Sequence, residues 1–120
     1  MIKHAELPLY YNAADVCVVP SYYESFGLVA LESLACGTPV VATDVGDLRN
    51  IIRDGETGYI SADNSPEELA SKIALVLSSS KFSSNLSPVI RDSVTLYSWA
   101  NIADRIAGEL FKTLSLETVI

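Results

Sequence analysis

The chain has 120 residues, of which 49% are hydrophobic and 19% are charged, a balance typical of one soluble globular domain. Its 15 acidic and 8 basic residues give a formal net charge of -7. Because nucleic acids attract basic surfaces, we expect no nucleic-acid partner. The longest apolar runs are too short to cross a bilayer, and the first residues lack the pattern of a secretory signal.

Three short apolar runs, at residues 15–20, 39–43 and 57–61, have the valine content or the glycine and proline boundaries of β-strands. They do not alternate with polar residues, so we expect strands that are buried on both faces. Strands in a parallel sheet with helices above and below are buried in this way. The sequence therefore predicts a short parallel sheet.

Helical patterns separate these strands. The first covers residues 8–14, with Pro8 acceptable in a first turn. The second covers residues 27–36 and ends at a glycine that is followed by a proline, and the third covers residues 47–53. Strands and helices thus alternate along the first half of the chain.

The second half is predicted to be helical. One helix begins with Ser65 as its N-cap and Pro66 in its first turn. The serine-rich segment 78–87 predicts no single conformation, and residues 92–97 are interpreted as the end of another helix. The last predicted helix covers residues 98–114. Its apolar stripe consists of Trp99, Ile102, Ala103, Ile106 and Leu110.

This pattern predicts the α/β class: a partial Rossmann-like domain with a short parallel sheet flanked by helices, plus carboxy-terminal helices. A doubly wound sheet normally has about five or six strands, and only three are predicted here. We therefore interpret residues 1–120 as one incomplete domain.

The cysteines and the histidine indicate no reactive site. Cys17 and Cys36 lie in apolar patterns without the spacing of metal ligands, so we expect buried free thiols, which favour a reducing cytosol. His4, the only histidine, has no second ligand nearby. It therefore predicts neither a metal site nor a Ser-His pair.

Ligands of open parallel sheets bind beyond the carboxyl ends of the strands. Two predicted loops leave such ends, at residues 20–26 and 44–46. The first leads into the helix that begins at Gly27, whose exposed backbone N–H groups, near Gly27, Leu28 and Val29, can bind an anion. Gly27 has no side chain, so we expect a phosphate to approach its backbone closely.

Glu32 lies in a helix that is otherwise apolar or small on nearly every side. Such a helix is expected to be buried, and a buried carboxylate needs a partner. One interpretation is a pair with a lysine or arginine, or a cap on neighbouring backbone. The alternative is that hydroxyl groups of a ligand hydrogen-bond to Glu32.

Glu24 precedes Glu32 by eight residues. Eight residues of helix rise about 12 Å, so the two carboxylates are too far apart to act as a glycosidase pair. They could instead contact opposite ends of one long ligand with an anionic middle. A nucleoside diphosphate sugar has this layout.

Several motifs occur in an order that closely resembles glycosyltransferase family 4, a large group of retaining enzymes. The resemblance covers nearly the whole chain. Its motifs are ELPLY at 6–10, ADV at 14–16, PS at 20–21, ESFGLVALE at 24–32, ACGTPVVA at 35–42, RDGETG at 53–58 and YSW at 97–99.

The resemblance implies two Rossmann-type domains facing a cleft, with the donor nucleotide in the second. This chain would be the carboxy-terminal part of that second domain, without the N-terminal acceptor domain. Glu32 would hydrogen-bond the ribose and Glu24 would face the donor sugar. The family transfers a sugar with retention, generally without a metal ion, and we expect no cofactor. Main-chain groups of four residues would hold sugar hydroxyls and the diphosphate: Ser25, Phe26, Gly27 and Leu28.

The sequence departs from the family after Gly46, where the residues Asp47, Leu48, Arg49 and Asn50 replace a frequent glycine, proline and glutamate pattern. That loop approaches the donor sugar in the family, so the choice of sugar can differ from that of the commonest members. The sequence leaves the donor nucleotide, the donor sugar and the acceptor open. Two alternatives are a non-catalytic relative that binds nucleotide sugars or acts as a regulatory partner, and an unrelated receiver-like or flavodoxin-like domain.

We expect a cytoplasmic protein, with peripheral attachment to the inner face of the membrane left open. We also expect the isolated chain to self-associate.

Overall fold

A three-stranded parallel sheet in the order β1-β2-β3 forms the centre of the computed structural model, which describes residues 1–83 and 87–117. Each strand lies within the residues predicted for it, and the α/β class is confirmed. The strands are β1 (Cys17–Val19), β2 (Val40–Thr43) and β3 (Gly58–Ser61).

The predicted burial of the strands is right for β2 and wrong for β1. All four residues of β2 are buried. Val40 and Ala42 join the main hydrophobic core, while Val41 points to the other face because side chains alternate along a strand. Val18 in β1 is 37% exposed, since no described element covers that side of the strand.

Helices surround the sheet. The helices at 7–13, 28–35, 48–51 and 99–117 lie close to the predicted positions. The helix after β3 begins as predicted, because the Ser65 hydroxyl accepts a hydrogen bond of 3.3 Å from the backbone N–H of Glu68. The described helices are α1 (Leu7–Ala13), α2 (Leu28–Ala35), α3 (Leu48–Ile51), α4 (Pro66–Ser78), α5 (Ser87–Asp92) and α6 (Trp99–Glu117).

The helix α2 is buried on one face only, so the expectation of burial on every side is wrong. Its buried residues are Ala30, Ser33 and Leu34, which face β1, β2 and α5. Leu28 is 60% exposed and Val29 is 47% exposed, since nothing in the described chain covers the first turn on that side. The apolar pattern of α2 therefore includes an exposed apolar surface at its first turn.

The segment after α4 differs from the prediction. Of residues 92–97, which were predicted to end a helix, only Asp92 lies in an α-helix: α5 begins at Ser87, which is followed by Pro88, and a separate 3-10 turn covers Thr95–Tyr97. The Ser93 hydroxyl donates a 2.6 Å hydrogen bond to the carbonyl of Ile90, a local bond that competes with further helix. Residues 84–86 of the serine-rich segment lie outside the described residues.

The last helix, α6, projects from a molecule that is 60 Å along its longest axis. Its predicted stripe is largely exposed: Trp99 is 86%, Ile106 is 57% and Leu110 is 60% exposed. No helix among residues 1–83 and 87–117 is both long enough and apolar enough to cross a membrane.

Candidate functional site

The loops that follow the three strands meet at the carboxyl edge of the sheet. The Thr43 hydroxyl, at the end of β2, donates a 2.5 Å hydrogen bond to the carbonyl of Ser21. The Asn64 amide, beyond β3, donates a 2.9 Å hydrogen bond to the carbonyl of Pro20. The first predicted loop, residues 20–26, is thus held at its start by both neighbouring loops.

The second predicted loop contacts the first at Gly46. This glycine has a φ of +56°, and a Cβ at its position would lie 2.0 Å from the carbonyl oxygen of Glu24. Only a residue without a side chain allows so close an approach. The loop after β2 therefore packs directly against the backbone that precedes Ser25.

Gly27 is required for a reason that the sequence did not indicate. Its φ is +93°, and a Cβ would lie 2.6 Å from Cδ2 of Leu48 and 3.5 Å from Cδ1 of Ile51. The missing side chain therefore makes room for α3. This packing places the starts of α2 and α3 side by side.

The first turn of α2 is open. No side chain of the described residues caps it, and the first amide in the helical ladder is that of Leu31, which donates to the Gly27 carbonyl at 3.0 Å. The amides of Leu28 and Val29 precede that ladder, and their side chains are exposed. This turn carries the positive end of the helix dipole at the carboxyl edge of the sheet.

Glu32 lies one turn further along α2, on the same face as Leu28. It is half-buried, and its Oε2 accepts a 3.0 Å hydrogen bond from the hydroxyl of Tyr11 in α1. Neither a lysine nor an arginine of the described residues forms an ion pair with it. Burial raises the pKa of Tyr11 to about 12, and the hydrogen bond and charge of Glu32 act in the same direction.

The three residues before Gly27 present different groups. Glu24 is half-buried, and no side-chain hydrogen bond or ion pair joins its carboxylate to the part of the chain that the structure describes. Ser25 is exposed. The ring of Phe26 is partly buried and packs edge-on against Tyr97, with 5.7 Å between ring centres.

Sequence reasoning missed an ion pair beside this surface. The Arg49 guanidinium donates two hydrogen bonds to the carboxylate of Asp44, and the two side chains are 67% and 39% exposed. These bonds hold the pKa of Asp44 below its usual value. Arg49 belongs to the residues after Gly46 that depart from the family pattern, and this departure was the one sequence feature that pointed to it. The spacing of five residues between Asp44 and Arg49 matches no regular pairing along a helix or a strand.

Other features lie away from this surface. Cys17 and Cys36 are free and half-buried rather than fully buried, and burial raises the pKa of both thiols. The described residues contain no group of three or more metal-ligating side chains that could hold an ion. An open strip of surface runs along the single helix α6, and a cavity of about 270 Å³ lies beside Gly37 and Pro39, at the amino end of β2.

The parallel sheet with its open helix start defines part of a Rossmann-like fold. The structure resembles sucrose-phosphate synthase from Thermosynechococcus elongatus, with a TM-score of 0.83 and 42% identity over 98% of this chain and 29% of that one. It also resembles HepE from Anabaena in complex with UDP and glucose, with a TM-score of 0.75 over 89% of this chain and 30% of that one. At 24% identity, that second likeness supports the fold alone.

The chain belongs to the family described as glycosyl transferases group 1, whose sequence model matches residues 1–92. A D-inositol 3-phosphate glycosyltransferase from Geodermatophilus obscurus is 46% identical over 106 residues, which are 88% of this chain and 23% of that protein. A protein of the same name from Thermomonospora curvata is 61% identical over 61 residues, 51% of this chain and 14% of that protein. The chain thus spans less than a quarter of the length of these curated relatives.

Proposed function

We propose that this chain is the carboxy-terminal part of the nucleotide-sugar-binding domain of a retaining glycosyltransferase. The complete enzyme transfers a sugar from a nucleoside diphosphate sugar to an acceptor, and residues 1–120 supply part of the donor site. The remaining strands of this domain and the acceptor domain belong to other parts of the same polypeptide. The small share of each relative that this chain spans supports this division.

The observation that carries the proposal is the environment of Glu32. Its carboxylate is half-buried on α2, and its partner is a neutral tyrosine hydroxyl rather than a basic side chain. A carboxylate has about four lone-pair positions, so one bond from Tyr11 leaves room for further donors. The vicinal hydroxyls of a ribose are donors of suitable number and spacing.

The diphosphate belongs at the first turn of α2. The amides near Leu28 point toward the carboxyl edge of the sheet, where the helix dipole favours negative charge. Main-chain groups of Ser25, Phe26 and Gly27 extend this surface toward the loop after β2. During transfer, the same groups stabilise the leaving diphosphate, which is electrostatic catalysis.

Glu24 belongs at the sugar end of the donor. Its backbone is held against Gly46, and its carboxylate has no ion-pair partner in the described chain. In this proposal it hydrogen-bonds the donor sugar near the reacting carbon. The resemblance implies transfer with retention of anomeric configuration and without a bound metal ion.

The names of the relatives support glycosyl transfer but differ in the acceptor. One group is named for D-inositol 3-phosphate, and another relative is a sucrose-phosphate synthase. We therefore propose a nucleotide-sugar donor and assign no acceptor. Free Cys17 and Cys36 support a cytoplasmic location, since cytosolic thiols stay reduced.

The test is to incubate the complete enzyme that contains this chain with a panel of UDP-, GDP- and ADP-sugars and to measure donor hydrolysis. The proposal predicts that one donor is hydrolysed and that Glu24→Gln lowers the rate. Glu56→Gln is the matched control, because Glu56 is exposed and precedes β3, at the opposite edge of the sheet.

Two outcomes contradict the proposal in different ways. If no nucleotide sugar binds, the donor site is wrong. If a nucleotide sugar binds without turnover, and adding acceptors does not change this, the chain belongs to a non-catalytic relative that binds nucleotide sugars.

A further inference from the structure

Tyr11 and Glu32 lie on different helices and 21 residues apart, yet one hydrogen bond joins them. The Tyr11 hydroxyl in α1 donates to Oε2 of Glu32 in α2 at 3.0 Å. Both side chains are half-buried, and α1 packs directly against α2. The bond is therefore a product of tertiary packing rather than of local sequence.

The backbone of Tyr11 is itself fixed from the connection between α2 and β2. The hydroxyl of Thr38 donates a 2.6 Å hydrogen bond to the carbonyl of Tyr11. The hydroxyl of Ser33, in α2, donates a 3.1 Å hydrogen bond to the carbonyl of Thr38. Because Ser33 and Thr38 are buried, these bonds hold the main chain of Tyr11, and with it the start of its side chain, in place relative to α2.

The chemistry of the pair gives Tyr11 one role, that of donor. Burial and the neighbouring carboxylate raise the pKa of Tyr11 to about 12, so the phenol keeps its proton at neutral pH. Tyr11 therefore engages Oε2, while Oε1 of Glu32 accepts no hydrogen bond from a side chain of the described residues. One carboxylate oxygen of Glu32 is therefore hydrogen-bonded to Tyr11, and the other can accept hydrogen bonds from a ligand.

We propose that Tyr11 is a positioning residue that holds the Glu32 carboxylate in the orientation that accepts the ribose hydroxyls of the donor nucleotide. This inference rests on the proposed function, because it requires Glu32 to bind ribose. Tyr11 does not touch the ligand and acts through Glu32. Without the tyrosine hydroxyl, the glutamate must lose rotamer freedom when the ligand binds, which costs conformational entropy.

The experiment compares two ligands that differ only in the ribose. In the complete enzyme, calorimetry measures the affinity for the ribonucleoside diphosphate that binds most tightly among UDP, GDP and ADP, and for its 2′,3′-dideoxy analogue. Tyr11→Phe keeps the ring and removes the hydroxyl. We expect it to weaken binding of the ribonucleotide about five- to tenfold and to leave the dideoxy analogue unchanged, because only the former needs an oriented Glu32.

Tyr10→Phe is the matched control, because Tyr10 is the neighbouring residue in α1 and is 55% exposed. It should leave both affinities unchanged. In a Glu32→Ala background, Tyr11→Phe should have no further effect on either ligand, since the group that it positions is gone.

The possible failures are distinguishable. Equal weakening of both ligands by Tyr11→Phe assigns Tyr11 a general structural role and overturns the inference alone. The same holds if Glu32→Ala selectively weakens the ribonucleotide while Tyr11→Phe has no effect. If Glu32→Ala does not distinguish the two ligands, or if none of the three nucleotides binds, the proposed function fails and the inference fails with it.

Discussion

Replacing Gly27 with alanine tests how the start of α2 is built. The new Cβ would lie 2.6 Å from Cδ2 of Leu48, on a backbone with a φ of +93°. The left-handed conformation costs a non-glycine residue about 1–2 kcal/mol. Overpacking against α3 adds about 1–3 kcal/mol. We expect Gly27→Ala to destabilise the domain by about 3 kcal/mol, which lowers the melting temperature of a 150–250-residue domain by about 6–12 °C.

Substitutions at two other glycines separate the cost of the left-handed backbone from the cost of overpacking. Gly55 has a φ of +77°, but beyond its chain neighbours the nearest described atom to its Cβ position, Cε1 of Tyr59, is 4.0 Å away. Gly55→Ala should therefore show only the conformational cost of about 1–2 kcal/mol. Gly108 lies in α6, and apart from its chain neighbours and the backbone of its own helix, no atom of the described residues lies within 4 Å of its Cβ position. Gly108→Ala should therefore stabilise the helix by about 0.5–1 kcal/mol.

The assay is differential scanning calorimetry of the complete enzyme with each substitution, where the domain that carries the substitution should melt at a changed temperature. The expected order of stability is Gly108→Ala, wild type, Gly55→Ala, Gly27→Ala. If Gly27→Ala is no less stable than Gly55→Ala, then Leu48 does not pack tightly beneath the start of α2. The geometry described for the candidate site would then be wrong.

Two further predictions concern turnover and association. Glu24→Gln should lower kcat about 100-fold while changing nucleotide affinity less than about threefold, since the carboxylate faces the sugar; steady-state kinetics showing the reverse would refute that role. The isolated 120-residue chain should self-associate, because Trp99, Ile106 and Leu110 are exposed in α6. Sedimentation should detect oligomers that Ile106→Lys combined with Leu110→Glu reduces, whereas a monomer with a high, cooperative melting transition contradicts this.

Local patterns predicted most of the fold. The apolar runs located three strands because a parallel sheet buries its strands, and the order of the strands in the chain is their order in the sheet. Ser65 and Pro66 located the start of α4 through a side-chain cap. The same kind of signal, Ser87 followed by Pro88, marks the start of α5, but it was hidden by the serine-rich segment around it.

Features that depend on tertiary packing could not be predicted. The bond between Tyr11 and Glu32 requires the angle at which α1 crosses α2, which no local pattern encodes. The role of Gly27 depends on Leu48, which lies 21 positions later in the chain and meets it only in the fold. The exposed face of α2 has an apolar composition like its buried face, so composition alone could not distinguish them.

In the proposed function, Glu32 accepts hydrogen bonds from the ribose of a donor nucleotide. The most direct test is calorimetric titration of UDP, GDP and ADP into the complete enzyme and into its Glu32→Ala variant. Hydrogen bonds to a charged group contribute about 1.5–3 kcal/mol, so the variant should bind the preferred nucleotide about 10- to 150-fold more weakly. Unchanged affinity for that nucleotide would contradict the assignment of Glu32 to the ribose.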